Sequence, residues 1–178
     1  LGAASLALAG QLAPDAFRLT AVDISPAMVE RARETLAVEC PGHAIEVIEG
    51  DISTLDYQPS GMVILNFTLQ FLPPEKREAL LARLYTALEP GGVLILSEKT
   101  VDLDERDNAW RVERYHDFKR ANGYSDLEIS QKRTALENVL VPDTLEAHHA
   151  RLARAGFARS LTWFQYLNFA SMIAFKET

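Results

Sequence analysis

FRLTAVDISPAMVERARETLAVE, residues 17–39, decides the fold class. Its first part, FRLTAVD (17–23), is a short run of apolar and β-branched residues and reads as a strand. Its second, SPAMVERARETLAVE (25–39), reads as a helix, with Ser25 as N-cap and Pro26 in the first turn, where the missing amide hydrogen is no loss. Upstream, residues 2–12 are rich in Ala and Leu and read as a helix ended by Pro14. Downstream, AIEVIEG (44–50) and GMVILNF (61–67) read as strands, PEKREALLARLYTAL (74–88) as an amphipathic helix, and GGVLILSE (91–98) as a strand after a Pro90-Gly91-Gly92 turn. Strands alternating with helices are the mark of a parallel sheet covered on both faces.

From 104 to 155 the pattern is helical and dense in charge, broken near Asn122-Gly123 and at Pro142, and is expected to form an inserted helical lid. ARSLTWFQYL (158–167) and NFASMIAF (168–175) follow one another without a crossover helix, so they are expected to pair antiparallel. At 178 residues, with 48% apolar and 24% charged residues, one soluble domain over 1–178 accounts for the whole pattern. The net charge of −7, with Lys and Arg scattered, weighs against direct nucleic-acid binding, which depends on neutralising phosphates. No apolar run approaches the ~20 residues of a membrane span, and the start LGAASLALAGQLAPD lacks a basic leader region, so the expected location is cytoplasmic. Cys40 is the only cysteine and is read as structurally incidental.

Four constellations carry possible chemistry. Asp23 ends the 17–23 strand just before a helix; there it either accepts both hydroxyls of a ribose, as acids do at strand ends of open α/β sheets, or caps the helix. In EGDIS (49–53), Asp51 either accepts from an adenine amino group while the Ile52 amide donates to a ring nitrogen, or closes a local Asx-turn. Asn66, in MVILNFTLQFL (62–72), ends a strand read as buried, where an unpaired amide is costly; it is expected to bond the loop backbone or a ligand. Phe67, Leu69 and Phe71 are assigned to the core. In the lid, YHDFKRANGYSDLEISQKRTALENV (115–139) carries Tyr115, Phe118, Tyr124 and the pair Lys132-Arg133, which are either a solvated face or a grip on a small carboxylate, for which the planar guanidinium suits Arg. His148 and His149 are read as surface residues, His43 as a turn residue and His116 as part of the lid; no metal-ligand spacing is present. Leu1-Gly2-Ala3-Ala4-Ser5 reads as the tail of a glycine-rich loop.

These segments together resemble the carboxy-S-adenosyl-L-methionine synthase family over nearly the whole chain. The motifs that carry the resemblance are LGAASLAL, AVDISPAMVERAR, VIEGDI, VILNFTLQFL, LEPGGVLILSEK, HDFKRANGYSDLEISQKR with LENV, and the closing AGF and WFQYLNFASMIA; NFTLQFL and DFKRANGYSDLEISQKR are the specific ones. The resemblance implies a class I methyltransferase fold: a Rossmann-like, doubly wound sheet with a C-terminal antiparallel hairpin and the lid. It implies that Asp23 holds the ribose of S-adenosylmethionine, with Ile24 beside it acting through its backbone because the family usually has Asn there. It further implies that Asp51 and Ile52 read the adenine, that Asn66 contacts the cofactor, and that Arg133 is the catalytic residue, pairing with the carboxylate carried on the sulfonium methyl. The implied reaction takes prephenate and S-adenosylmethionine to phenylpyruvate and carboxy-S-adenosylmethionine, the carboxymethyl donor for wobble-uridine modification of tRNA, in a homodimer without metal. The family's first strand and glycine-rich loop are expected upstream of Leu1, so the 178 residues alone are expected to bind cofactor poorly. An ordinary methyltransferase and a non-catalytic S-adenosylmethionine- or partner-binding protein are the competing readings.

Overall fold

The computed structural model describes residues 2–136 and 139–178, without the side chains of residues 132, 133, 135 and 136. Two compact units, Leu1–Asp56 and Tyr57–Thr178, each hold a sheet of their own.

In the first unit, apolar residues at helical spacing decide the packing. Helix α1 (Ala3–Ala9) is followed by strand β1 (Arg18–Asp23), helix α2 (Pro26–Glu39) and strand β2 (Ala44–Glu49). Strands β1 and β2 pair parallel, from Arg18↔Ala44 to Asp23↔Glu49. One face of α2 buries Val29, Ala32 and Leu36 in a core with Cys40 and Val47, to which Leu6, Ala9, Ala21 and Ile45 add. Cys40 is thus a small apolar filler. Two details of the sequence reading change. Helix α1 stops at Gly10 rather than running to 12. Ser25 occupies the N-cap position, but its hydroxyl makes no capping bond; Asp23 Oδ1 instead accepts from the Ser25 amide at 2.9 Å.

The second unit is a mixed sheet in the order β3-β4-β6-β5, built from β3 (Ser60–Asn66), β4 (Leu88–Lys99), β5 (Arg159–Tyr166) and β6 (Phe169–Phe175). Strand β3 pairs parallel to β4, while β4–β6 and β5–β6 are antiparallel, so the expected closing hairpin is present. Pro90-Gly91-Gly92 is not a turn before the strand but lies inside it. Leu88 already pairs with Ser60, the register slips between Ser60 and Met62, and Gly91 takes φ +80 while donating to the Lys176 carbonyl at 3.0 Å. Glycine allows this bulge because it has no Cβ to oppose positive φ. Between β3 and β4 come a short 3-10 turn (Leu69–Phe71) and helix α3 (Pro74–Ala87), which buries Leu80, Leu81 and Leu84.

The charged span from 104 to 155 holds helices α4 (Glu105–Ala121), α5 (Asp126–Leu136) and α6 (Leu145–Arg154). Helix α4 starts on Asp104, whose Oδ1 accepts from the amides of Arg106 and Asp107, and it ends at Asn122-Gly123, with Gly123 at φ +87. Ser125 and Glu128 form a reciprocal capping box at the start of α5. No residue of α4 is buried, and its charges pair with one another through Arg114–Asp117 and Arg120–Asp117, as on a solvated face. Its inner edge meets the β5–β6 connection: Arg111 Nη1 donates to the Leu167 carbonyl at 3.0 Å, and Tyr115 and Phe118 stack edgewise on Phe169 and Tyr166. No helix among the described residues is long and apolar enough to cross a membrane.

Candidate functional site

Parallel pairing of β1 and β2 brings their carboxyl ends to the same edge, and with them the two acids singled out in the sequence. Asp23 faces Glu49 across the pair, Gly50 donates to the Asp23 carbonyl at 3.0 Å, and Asp51 follows immediately. A concavity of about 200 Å³ opens here, lined by Gly2, Val22, Asp23, Met28 and Val47 among others. Gly2, at φ +70, forms part of its wall; a Cβ there would meet the Leu36 side chain at 3.4 Å. A backbone edge without side chains beside an acid at a strand end suits close approach of a ligand.

Both acids also realise their local readings. Asp23 Oδ1 holds the Ser25 amide, while Oδ2 makes no hydrogen bond among the described residues. Asp51 Oδ1 accepts from the Ser53 amide at 2.8 Å, and its carbonyl accepts from Thr54 and Leu55, an Asx-turn that sets the direction of the Ile52 peptide. Ile24 follows Asp23 directly and is 69% exposed.

In the second unit the premise about Asn66 is corrected. It ends β3, but its side chain is exposed and makes no hydrogen bond among the described residues, so burial does not force a partner on it. The core assignment holds for Leu69, which is fully buried, and fails for Phe67 and Phe71, 40% and 44% exposed. Phe67 has φ +55, an unfavourable conformation for an aromatic residue, and its ring stacks edgewise on Phe169 at 5.8 Å. Arg133 lies in α5, and its side chain falls outside the described residues.

Sequence reading missed the polar core behind this turn. Glu98 is fully buried and accepts from the amides of Thr68, Leu69 and Gln70; burial pushes its carboxyl up to about 7, against the pull of those amides and of Arg77. Arg77, also fully buried, donates to the carbonyls of Gln70, Leu72 and Val141 and pairs with Asp143, which pairs in turn with Arg151 at 2.9 Å. Burial alone would raise Asp143, but the Arg77 hydrogen bond and the charges of Arg151 and Arg77 hold it below the usual carboxylate range. His148 is not a surface residue: it is 2% exposed, neither ring nitrogen has a partner among the described residues, and burial pushes it down to about 4. His149 too is engaged, by Ser160 and Thr162 at 2.7 and 2.9 Å. One signal was available for Glu98. Leu94, Leu96 and Glu98 share one side of β4, so a charge falls in a buried period-2 row.

A larger concavity of about 540 Å³ lies between α3 and α6 and is spanned by the Glu78–Arg154 ion pair. Among the described residues no cluster of His, Cys, Asp and Glu could hold a metal.

Residues 1–92 match the family described as "Methyltransferase domain". The chain is 74% identical over 99% of its length to carboxy-S-adenosyl-L-methionine synthase of Chromohalobacter salexigens, of which it covers 66%, and 57% identical to that of Psychrobacter arcticus, of which it covers 67%. It therefore spans about two thirds of the length of the curated relatives it matches. Among solved structures, an O-methyltransferase family 2 protein from Planctomyces limnophilus in complex with apigenin aligns with a TM-score of 0.70 at 17% identity, over 98% of this chain and 47% of that one. PigF with SAH aligns with a TM-score of 0.67 at 19% identity, over 99% and 48%. At those identities the likeness shows the methyltransferase fold.

Proposed function

The chain belongs to the carboxy-S-adenosyl-L-methionine synthase family, and from that premise we propose that it converts S-adenosylmethionine and prephenate to carboxy-S-adenosylmethionine and phenylpyruvate. The observation that carries the reading is the 74% identity over 99% of the chain. The acids at the carboxyl ends of β1 and β2 support it, since they are the residue types a nucleoside requires there. In this reading Asp23 takes the ribose hydroxyls, with Ile24 beside it through its backbone. Asp51 and Ile52 take the adenine, Asn66 the amino-acid end, and Arg133 the new carboxylate.

The reaction balances without an oxidant or a metal. Aromatisation of prephenate expels carbon dioxide and hydroxide. The hydroxide takes up a proton from the sulfonium methyl, and the resulting ylide carbon bonds to carbon dioxide, leaving phenylpyruvate, carboxy-S-adenosylmethionine and water. The sulfonium stabilises the adjacent carbanion, and a guanidinium facing the new carboxylate favours the product side. The product serves as carboxymethyl donor for wobble-uridine modification in tRNA, and the enzyme works in the cytoplasm as a homodimer.

The test incubates the full-length enzyme with S-adenosylmethionine and prephenate and looks by mass spectrometry for S-adenosylmethionine plus one carbon dioxide. Its appearance only when prephenate is present is the expected result. A methylated acceptor without that adduct, or binding without turnover, would overturn the reading.

A further inference from the structure

One side chain holds the turn that follows β3. Glu98, on the buried side of β4 with Leu94 and Leu96, accepts from the Thr68 and Leu69 amides through Oε1 at 3.1 and 2.8 Å and from the Gln70 amide through Oε2 at 3.1 Å. Three consecutive amides converging on one point make a nest for an anion, here filled from the neighbouring strand. Other bonds close the turn around it. Phe67 donates to the Ser97 carbonyl at 2.7 Å, Gln70 Oε1 accepts from the Lys99 amide at 3.1 Å, and Arg77 of α3 donates to the carbonyls of Gln70 and Leu72. The positive φ of Phe67 needs such support, because an aromatic residue does not keep that conformation unaided.

We propose that Glu98 is a positioning residue: its ionised carboxylate fixes residues 67–72 and so sets Asn66, at the carboxyl end of β3, in the geometry that S-adenosylmethionine requires. The inference rests on the reading of Asn66 as a cofactor contact. An ionised carboxylate is an acceptor at both oxygens and matches three N–H donors; a protonated one, or an amide in its place, turns a donor toward the nest and loses part of the match. Arg77 faces Glu98 from α3, and behind Arg77 stand Asp143, on the segment before α6, and Arg151 and His148 of α6. Burial raises the Glu98 carboxyl to about 7, while the three amides and Arg77 pull it back down, so the nest favours the ionised form against the burial around it.

Calorimetric titration of S-adenosylmethionine into full-length wild type and Glu98→Gln at pH 8 and pH 6 tests this. We expect Glu98→Gln to bind about tenfold more weakly than wild type at pH 8, the loss of one charge-assisted hydrogen bond, and the gap between wild type and variant to narrow at pH 6. Equal affinities at pH 8, or parallel pH dependence, overturn the proposal. Should Glu98→Gln fail to fold, hydrogen exchange in wild type decides. Protection of amides 68–70, corrected for intrinsic rates, is expected to change with pH about a midpoint near 7, and constant protection overturns the assignment. The carboxyl-transfer assay separates the two claims. Without the carbon dioxide adduct but with binding that follows Glu98, the functional reading fails alone; with the adduct and an unaffected Glu98→Gln, the positioning role fails alone.

Discussion

At the scale of single residues, the local and ligand readings of the strand-end acids turn out to be compatible. Asp23 spends one oxygen on the Ser25 amide, which orders the entry to α2, and keeps Oδ2 without a hydrogen bond among the described residues. Asp23→Asn retains a carbonyl acceptor for that amide while removing the charge and one acceptor. Its stability should stay within about 0.5 kcal/mol of wild type, while its affinity for S-adenosylmethionine falls about tenfold or more. Thermal melting and calorimetry measure the two, and an unchanged affinity would remove Asp23 from the ribose role. For Arg133, Arg133→Ala is expected to weaken binding of carboxy-S-adenosylmethionine more than that of S-adenosylmethionine itself; equal losses in competitive titrations would count against the carboxylate role. Both acids were legible in the sequence because each follows the carboxyl end of an apolar run read as a strand, the edge where ligands bind in open α/β sheets. The partners of Glu98 and Arg77 were not, since they lie 28–30 residues away for Glu98 and as much as 66 for Arg77; the sequence offered only the place of Glu98 in an apolar period-2 row.

Among the elements, strand and helix types followed the apolar period almost throughout, and the departures have local causes. Strand β4 absorbs Pro90-Gly91-Gly92 because Lys176, just past β6, exchanges backbone hydrogen bonds with Gly91 and Gly92 and glycine accepts the bulge. Helix α6 holds the two histidines read as surface residues, yet it buries His148, Arg151 and Leu152. Arg77 is what joins these elements: from α3 it holds the carbonyls of the 3-10 turn, the carbonyl of Val141 and the Asp143 carboxylate. Arg77→Met fills much of the volume but leaves those acceptors unpaired, so a loss of about 3–5 kcal/mol is expected. Urea unfolding checks it, and a midpoint like that of wild type would show that the network contributes little. Such a variant should also loosen residues 68–72, which hydrogen exchange would detect.

For the molecule as a whole, two buried groups set opposing pH dependences. His148, pushed down to about 4 from 6.5, contributes stability that is present above pH 6.5 and lost as pH falls toward 4. Glu98, raised to about 7 from 4.5, contributes stability that is present below pH 4.5 and lost as pH rises through 7. Each is worth at most on the order of 3 kcal/mol, so between these limits they largely cancel. Asp143, Arg77 and Arg151 flank His148, and Asp143 titrates below this window. His148→Leu is therefore expected to be less stable, relative to wild type, at pH 7 than at pH 5. Glu98→Gln should show the reverse, and urea midpoints that follow the wild-type profile in both variants would refute the balance.

The sequence alone determined the α/β class, the closing antiparallel hairpin, the helical span at 104–155 and the acids at the ends of β1 and β2. Each of these follows from apolar periodicity, turn chemistry or immediate neighbours along the chain. The tertiary structure decided which charges are buried, that Asn66 is exposed while His148 is not, and that Phe67 turns with positive φ. Those outcomes depend on segments far apart in sequence meeting within the β3–β4–β6–β5 unit, where desolvation and long-range hydrogen bonds outweigh local preference.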